Sequence, residues 1–240
     1  MLLRRVVEHV RKQEWTAIGI DFLIVVIGVF VGIQVSNWNS ARFARAEEQR
    51  LVSQLLADVD TEISQKSAWL DQTSIRLETF REAVGKLQAD GAAAELTRAE
   101  CESAAYSHII DIRVASLPTL EEIQFSGGLG MLSDPELRHA LLRYRSGSET
   151  LGASYDFVRG DFANLVDSYG AAFPRRLAAE KALISDVPIS SRVECDTAAI
   201  FADANLQNRL MSNLARTQAL IDYGEFEIEL LTNVRNALNG

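Results

Sequence analysis

Residues Thr16 to Asn39 read "TAIGIDFLIVVIGVFVGIQVSNWN", and so apolar a run can rest only inside a protein core or in lipid. From Trp15 to Trp38 there are 23 helical steps, about 34 Å, close to the ~30 Å hydrocarbon thickness plus part of each interface. A Trp at each end is what an aromatic belt supplies, so Trp15 and Trp38 are read as interface anchors. Thirteen residues of the run are Ile, Leu, Val or Phe, favouring insertion by about 4 to 8 kcal/mol. Asp21 costs about 2.5 to 3.5 kcal/mol at a bilayer centre and less near one end of the span. Insertion wins, and residues 16–36 are expected to form a transmembrane helix. One alternative is a buried soluble helix, which little else in the chain could wrap on all sides. Another is a cleaved signal peptide, but the only small-x-small site nearby, Ala44-Arg45-Ala46, lies well beyond the run. An uncleaved signal anchor fits better.

The flanks set the expected orientation. Arg4, Arg5, Arg11 and Lys12 precede the span, whereas Arg42, Arg45 and Arg50 follow it. Positive-inside therefore favours a cytoplasmic N-terminus by a narrow margin. Leu3, Val6, Val7 and Val10 share one helical face, so residues 1–15 read either as an amphipathic interfacial helix or as a basic flank that stops translocation. Residues 37–240 would then form an extracytoplasmic body. Residues 1–40 carry a net charge of +1 and the remaining 200 carry −10. An acidic body lacks the basic footprint that nucleic-acid binding requires. Cys101 in "ECESAA" and Cys195 in "ECDTAA" are the only cysteines, each beside a helix start, and an oxidising compartment would let them pair. With two cysteines and three histidines, no closed zinc site and no cofactor are expected.

In the body, Val52, Leu56, Val59, Ile63, Leu70, Leu77, Phe80, Val84 and Leu87 keep a 3-4 spacing that only Lys66 and Thr73 interrupt. That pattern predicts a long, coiled-coil-like helix stopping near Asp90-Gly91. A second helix is expected from Cys101 to about Ala115, halting before Pro118. Thr119 with Glu122, and Ser133 with Glu136, have capping-box spacing, and Pro135 suits a first helical turn. Gly127, Gly128 and Gly130 resemble a phosphate cradle only superficially: no strand precedes them and no Lys-Ser/Thr follows, so they read as a turn. Residues 147–181 are expected to be helical, "SDVPISSRVE" a loop, and 196–238 a last helix with Leu210, Leu214, Ile221, Ile228, Leu231 and Leu238 on its seam. Alternating strands are not evident. The expected fold is all-α: an N-terminal transmembrane helix continuing into an antiparallel helical bundle with long, coiled-coil-like helices.

At 100° per residue, Asp21, Gly28, Gly32 and Asn39 fall within about 20° of one line along the span. Small and polar residues on one face let helices approach closely and hydrogen-bond in lipid. The line is read as a contact for another transmembrane helix, from a second copy or a partner membrane protein. The alternative is Asp21 snorkelling to headgroups with both glycines facing lipid. Glu136-x-x-His139 has the spacing of half a di-iron motif, without a second half; capping and solvation account for it. His108 and Asp111 are too few for a metal, and no serine sits in a nucleophile elbow.

The combination of "RRVVEHVRKQEWTAIGIDFLIVVIGVFVGIQVSNWN" with "PTLEEIQFSGGLGMLSDPELRHALLRY" resembles an uncharacterised family of bacterial single-pass inner-membrane proteins. These share a basic flank, an Asp-containing span ending in an Asn-Trp-Asn element, and a downstream Leu-Arg segment. The resemblance covers the first 50 residues and about 115–145. It implies a topology, with no catalytic residue to carry over. The function expected is that of a membrane-anchored periplasmic bundle acting as an interaction, scaffold or accessory subunit of an envelope complex. The alternative is a ligand-binding sensor or regulator that signals through its span to a partner. An enzyme is not expected, although a hydrolase built from distant residues would leave no motif.

Overall fold

A computed structural model describes residues 15–160, 162–177 and 191–240. The amphipathic flank expected over 1–15 and the ring of Trp15 lie outside the described residues, apart from the Trp15 backbone that opens the first helix. Among the described residues the protein is all-α apart from one two-stranded antiparallel pair. Its elements are α1 (Trp15–Asp90), α2 (Arg98–Ala105), α3 (Pro118–Ser126), α4 (Pro135–Gly160), α5 (Leu165–Ser168), β1 (Arg175–Leu177), β2 (Ser191–Val193), α6 (Thr197–Ala202) and α7 (Ala204–Asn239). The chain divides into two compact units, Met1–Ser53 and Gln54–Gly240.

In the first unit the described residues are helical throughout, and from Gly19 to Ala46 each is exposed. This helix is long and apolar enough to cross a membrane, and none of its apolar window is buried.

The second unit is an antiparallel bundle. Residues 54–90 of α1 run against α7: Asp60 meets Arg235, Lys66 meets Glu227, Arg81 meets Gln218 and Gln88 meets Met211. α4 also runs against α7, with Gly147 at Leu230, Tyr155 at Tyr223, and Ala163, just past the helix, bonded to Asn213. α1 stops where expected, at Asp90, because Gly91 takes φ +58°, a conformation that favours glycine.

The seam of α1 follows the 3-4 pattern through Val59, Leu77, Phe80, Val84 and Leu87, all buried. Toward its start the buried residue is Leu55, not Leu56. That shift is the drift of a 3.6-residue helix against a 3.5-residue repeat. Lys66 and Thr73, which interrupt the pattern, are buried as well.

Several expectations are corrected. α2 ends at Ala105 rather than Ala115, because "IIDIRV" alternates apolar and polar residues and is rich in β-branched side chains, which suit an extended chain. α3 has Pro118 in its first turn and Leu117 as N-cap, with no side-chain cap, so Thr119 and Glu122 do not form a capping box. At the start of α4 the Asp134 carboxylate accepts from the Glu136 amide. The helix expected over 147–181 begins at Pro135 and ends at Gly160. The polar tract after it contributes β1, paired antiparallel with β2. The last helix is split into α6 and α7 by Asp203, whose side chain caps α7 by accepting from the Asn205 and Leu206 amides. On α7 Leu206, Leu210, Asn213, Thr217, Leu220, Gly224, Glu227, Leu231 and Val234 are buried in a 3-4 repeat whose polar members hid it, and Ile221, expected on the seam together with Leu210 and Leu231, is buried beside Leu220. Leu214, Ile228 and Leu238, expected on the seam, are only half-buried beside it. Gly127, Gly128 and Gly130 do form a turn, with Gly128 at φ +74°.

Candidate functional site

Two features hold the chemistry of this chain, one in each unit. In the first unit, Asp21, Gly28, Gly32 and Asn39 are all exposed on the helix. A Cβ built at Gly28 or Gly32 would meet nothing within 4 Å, so the groove above each glycine is open to a neighbouring helix. Trp38 is 67% exposed at the end of the apolar run.

In the second unit the feature is a nine-residue strap, 109–117, that leaves α2 and passes across the bundle to α3 without regular secondary structure. Its residues alternate in burial: Ile110, Ile112 and Val114 pack on the cluster of Leu151, Tyr155, Val158 and Leu220, while Asp111 and Arg113 face out. A strand-like segment carries backbone groups that need partners. Here side chains from the helices replace a neighbouring strand. Arg76 donates to the Ile109 carbonyl (2.8 Å), Trp69 to Asp111 (2.6 Å) and Arg159 to Ile112 (3.1 Å). Lys66 donates to the Arg113 carbonyl, and Tyr144 to that of Ala115 at 3.1 Å. The Ala115 amide donates to Glu227 Oε1 at 2.7 Å.

The strap closes over an ion pair. Lys66 Nζ lies 2.6 Å from Glu227 Oε2, with the two side chains 6% and 0% exposed. Tyr155 donates to the same carboxylate oxygen at 3.4 Å, and the Lys66 ammonium stands 5.2 Å from the Trp69 ring centre and 5.5 Å from that of Tyr155. Burial, reinforced by the Glu227 charge, pushes the Tyr144 and Tyr155 phenols up from their ordinary value, so both stay neutral donors. A buried pair of this kind adds little net stability, but removing one partner strands the other and costs about 3 to 5 kcal/mol. Thr73 and Thr217 serve the same interior: with Arg76, Ser103 and Ser107 they line a cavity of ≈ 10 Å³, about the space of one water. Asn213 bridges Ser107 and the Ala163 backbone, donating at 2.8 and 2.9 Å.

Cys101 and Cys195 form a disulfide across a sequence separation of 94 residues, with Cα atoms 5.7 Å apart. Cys101 is buried in the core of Phe80, Val84, Phe173 and Ile200, and Cys195 packs against that core half-buried. The bridge joins α2 to the residue just before the Asp196 cap of α6.

The strap, its braces and the partner of Lys66 were not foreseen from sequence. The available signals were the alternation in "IIDIRV" and a lysine interrupting an otherwise apolar seam. Glu136 and His139 stand on α4, and His108 follows α2; among the described residues no three His, Cys, Asp or Glu side chains gather as metal ligands. Comparison with protein-family models, curated proteins and solved structures finds no match.

Proposed function

We propose that this chain is a membrane-anchored helical-bundle protein that works by association, as a scaffold or accessory subunit of a bacterial envelope complex. In this reading residues 16–36 span the inner membrane, the N-terminus is cytoplasmic and the bundle is periplasmic. The observation that carries it is the exposed line of Asp21, Gly28, Gly32 and Asn39, where nothing stands within 4 Å of a Cβ built at either glycine. In lipid such a face gains from a second helix: close backbone approach at the glycines and a hydrogen-bond donor for Asp21. The disulfide supports the compartment, since structural bridges persist outside the reducing cytosol. The resemblance in the span and in residues 115–145 to an uncharacterised family of single-pass inner-membrane proteins supports the topology.

The test is recovery of partners from membranes solubilised in mild detergent. A stoichiometric partner or a homo-oligomer is expected. Asp21→Leu should leave membrane insertion intact, because it makes the span more apolar, and should reduce partner recovery. Recovery of monomer alone from the native chain, or equal recovery from the variant, overturns the contact.

A further inference from the structure

Beyond the span, the same helix carries a second exposed face that the helix-contact line does not use. Trp38, Arg42, Arg45 and Gln49 follow one another at four, three and four residues. With Asn39 taken as zero, Arg42, Gln49, Trp38 and Arg45 lie at about −60°, −80°, −100° and −120° around the axis. This stripe is therefore about a quarter turn from the line of Asp21, Gly28, Gly32 and Asn39, so both faces can be occupied together. With Ala41 and Ala46, the four side chains line a recess of ≈ 410 Å³.

The charges around the recess are one-sided. Arg50 is taken by Glu47 at 2.6 Å. Of the side chains that line the recess, Arg42 and Arg45 are the charged ones, and both are exposed. Glu47 and Glu48 fall at about +80° and 180°, off the stripe. The depth also fits. If Trp38 sits at the hydrocarbon boundary, Arg42 and Arg45 stand about 6 and 10 Å further along the axis. The interfacial zone is about 5 to 8 Å thick, and a long arginine side chain can reach back into it. A guanidinium presents a planar fork that matches phosphate oxygens.

We infer that Arg42 and Arg45, with Trp38 as their floor, form a binding site for the phosphate of an anionic phospholipid headgroup in the leaflet at the C-terminal end of the span. This rests on the reading of residues 16–36 as a membrane span. The stripe holds lipid on one side of the helix and leaves the Asp21 side for a protein contact.

The test uses the full chain reconstituted in phosphatidylcholine vesicles with spin-labelled phosphatidylglycerol or spin-labelled phosphatidylcholine as reporter. The wild-type chain should immobilise the anionic lipid in preference to the zwitterionic one, by about fivefold or more. Arg42→Gln/Arg45→Gln should bring that ratio close to one, whereas Arg50→Gln, whose arginine is already paired, should leave it unchanged. No preference in the wild type, or an equal loss with Arg50→Gln, overturns the site. So does an unchanged lipid ratio in the double variant accompanied by loss of a co-purified acidic protein, which would make the stripe a protein surface instead. Alkaline extraction of the vesicles separates the two readings. A chain that washes off refutes the span itself, whereas one that stays embedded without lipid preference refutes the arginine site alone.

Discussion

Lys66 and Glu227 show how two ionised side chains are tolerated in a core. Each has its partner at 2.6 Å, and the remaining bonding capacity goes to the strap and to Tyr155. Lys66→Met leaves a buried carboxylate without its cation and should lower unfolding free energy by about 3 to 5 kcal/mol. Lys66→Met with Glu227→Leu should cost clearly less than the two single losses added together, as chemical denaturation of the four chains would measure. Simple additivity would mean that the pair does not act as a unit. Gly224 presents a different constraint. A Cβ there would lie 2.7 Å from the Trp69 ring and 2.9 Å from Leu70, so Gly224→Ala must displace those side chains or part α7 from α1 despite its better helix propensity. It should destabilise by about 1 to 3 kcal/mol, and a gain in melting temperature would show that the crossing is looser than this.

At the scale of the element, the long helices were legible because their apolar residues repeat every three or four positions. The strap was legible only in part. Its alternation is written in "IIDIRV", but a single alternating run without a partner strand looks like the continuation of the helix before it. What distinguishes it is the set of braces on α1, α4 and α7, which lie 33 to 112 residues away in sequence for Arg76 and Glu227. No local reading reaches that far. The α7 seam was obscured for a related reason. Asn213, Thr217 and Glu227 are polar by sequence and buried by position, because each has a bonding task inside. The exposed line on the apolar part of α1 was readable from spacing alone, since a helix places residues 21, 28, 32 and 39 on one side whatever surrounds it. The disulfide is an element-scale staple as well, holding α2 against the approach to α6. Cys101→Ser with Cys195→Ser should lower stability by about 2 to 4 kcal/mol, read as an earlier denaturation midpoint of the purified chain. An unchanged midpoint would leave the bridge without a stabilising role.

For the whole molecule, the proposed topology makes a distinction that intact cells can report. With the bundle outside the cytosol, Cys101 and Cys195 should resist a thiol-alkylating probe until a reductant is added, and then both should react once the chain is denatured. Labelling without reductant would place the body in a reducing compartment or leave the bridge unformed. The strap gives the bundle a single register: α1, α4 and α7 each donate to or accept from the same short backbone segment.

The cysteine bridge has one more effect, on what a broken chain would do. A backbone cut anywhere from residue 102 to residue 194 separates the piece bearing the apolar start of α1 from the piece bearing α7, yet the sulfur–sulfur bond still joins them. Such a nicked protein would migrate as one species on a denaturing gel until its thiols were regenerated, and only then as two. Under the proposed topology, proteolysis of the body would therefore not by itself shed its C-terminal helix from the membrane.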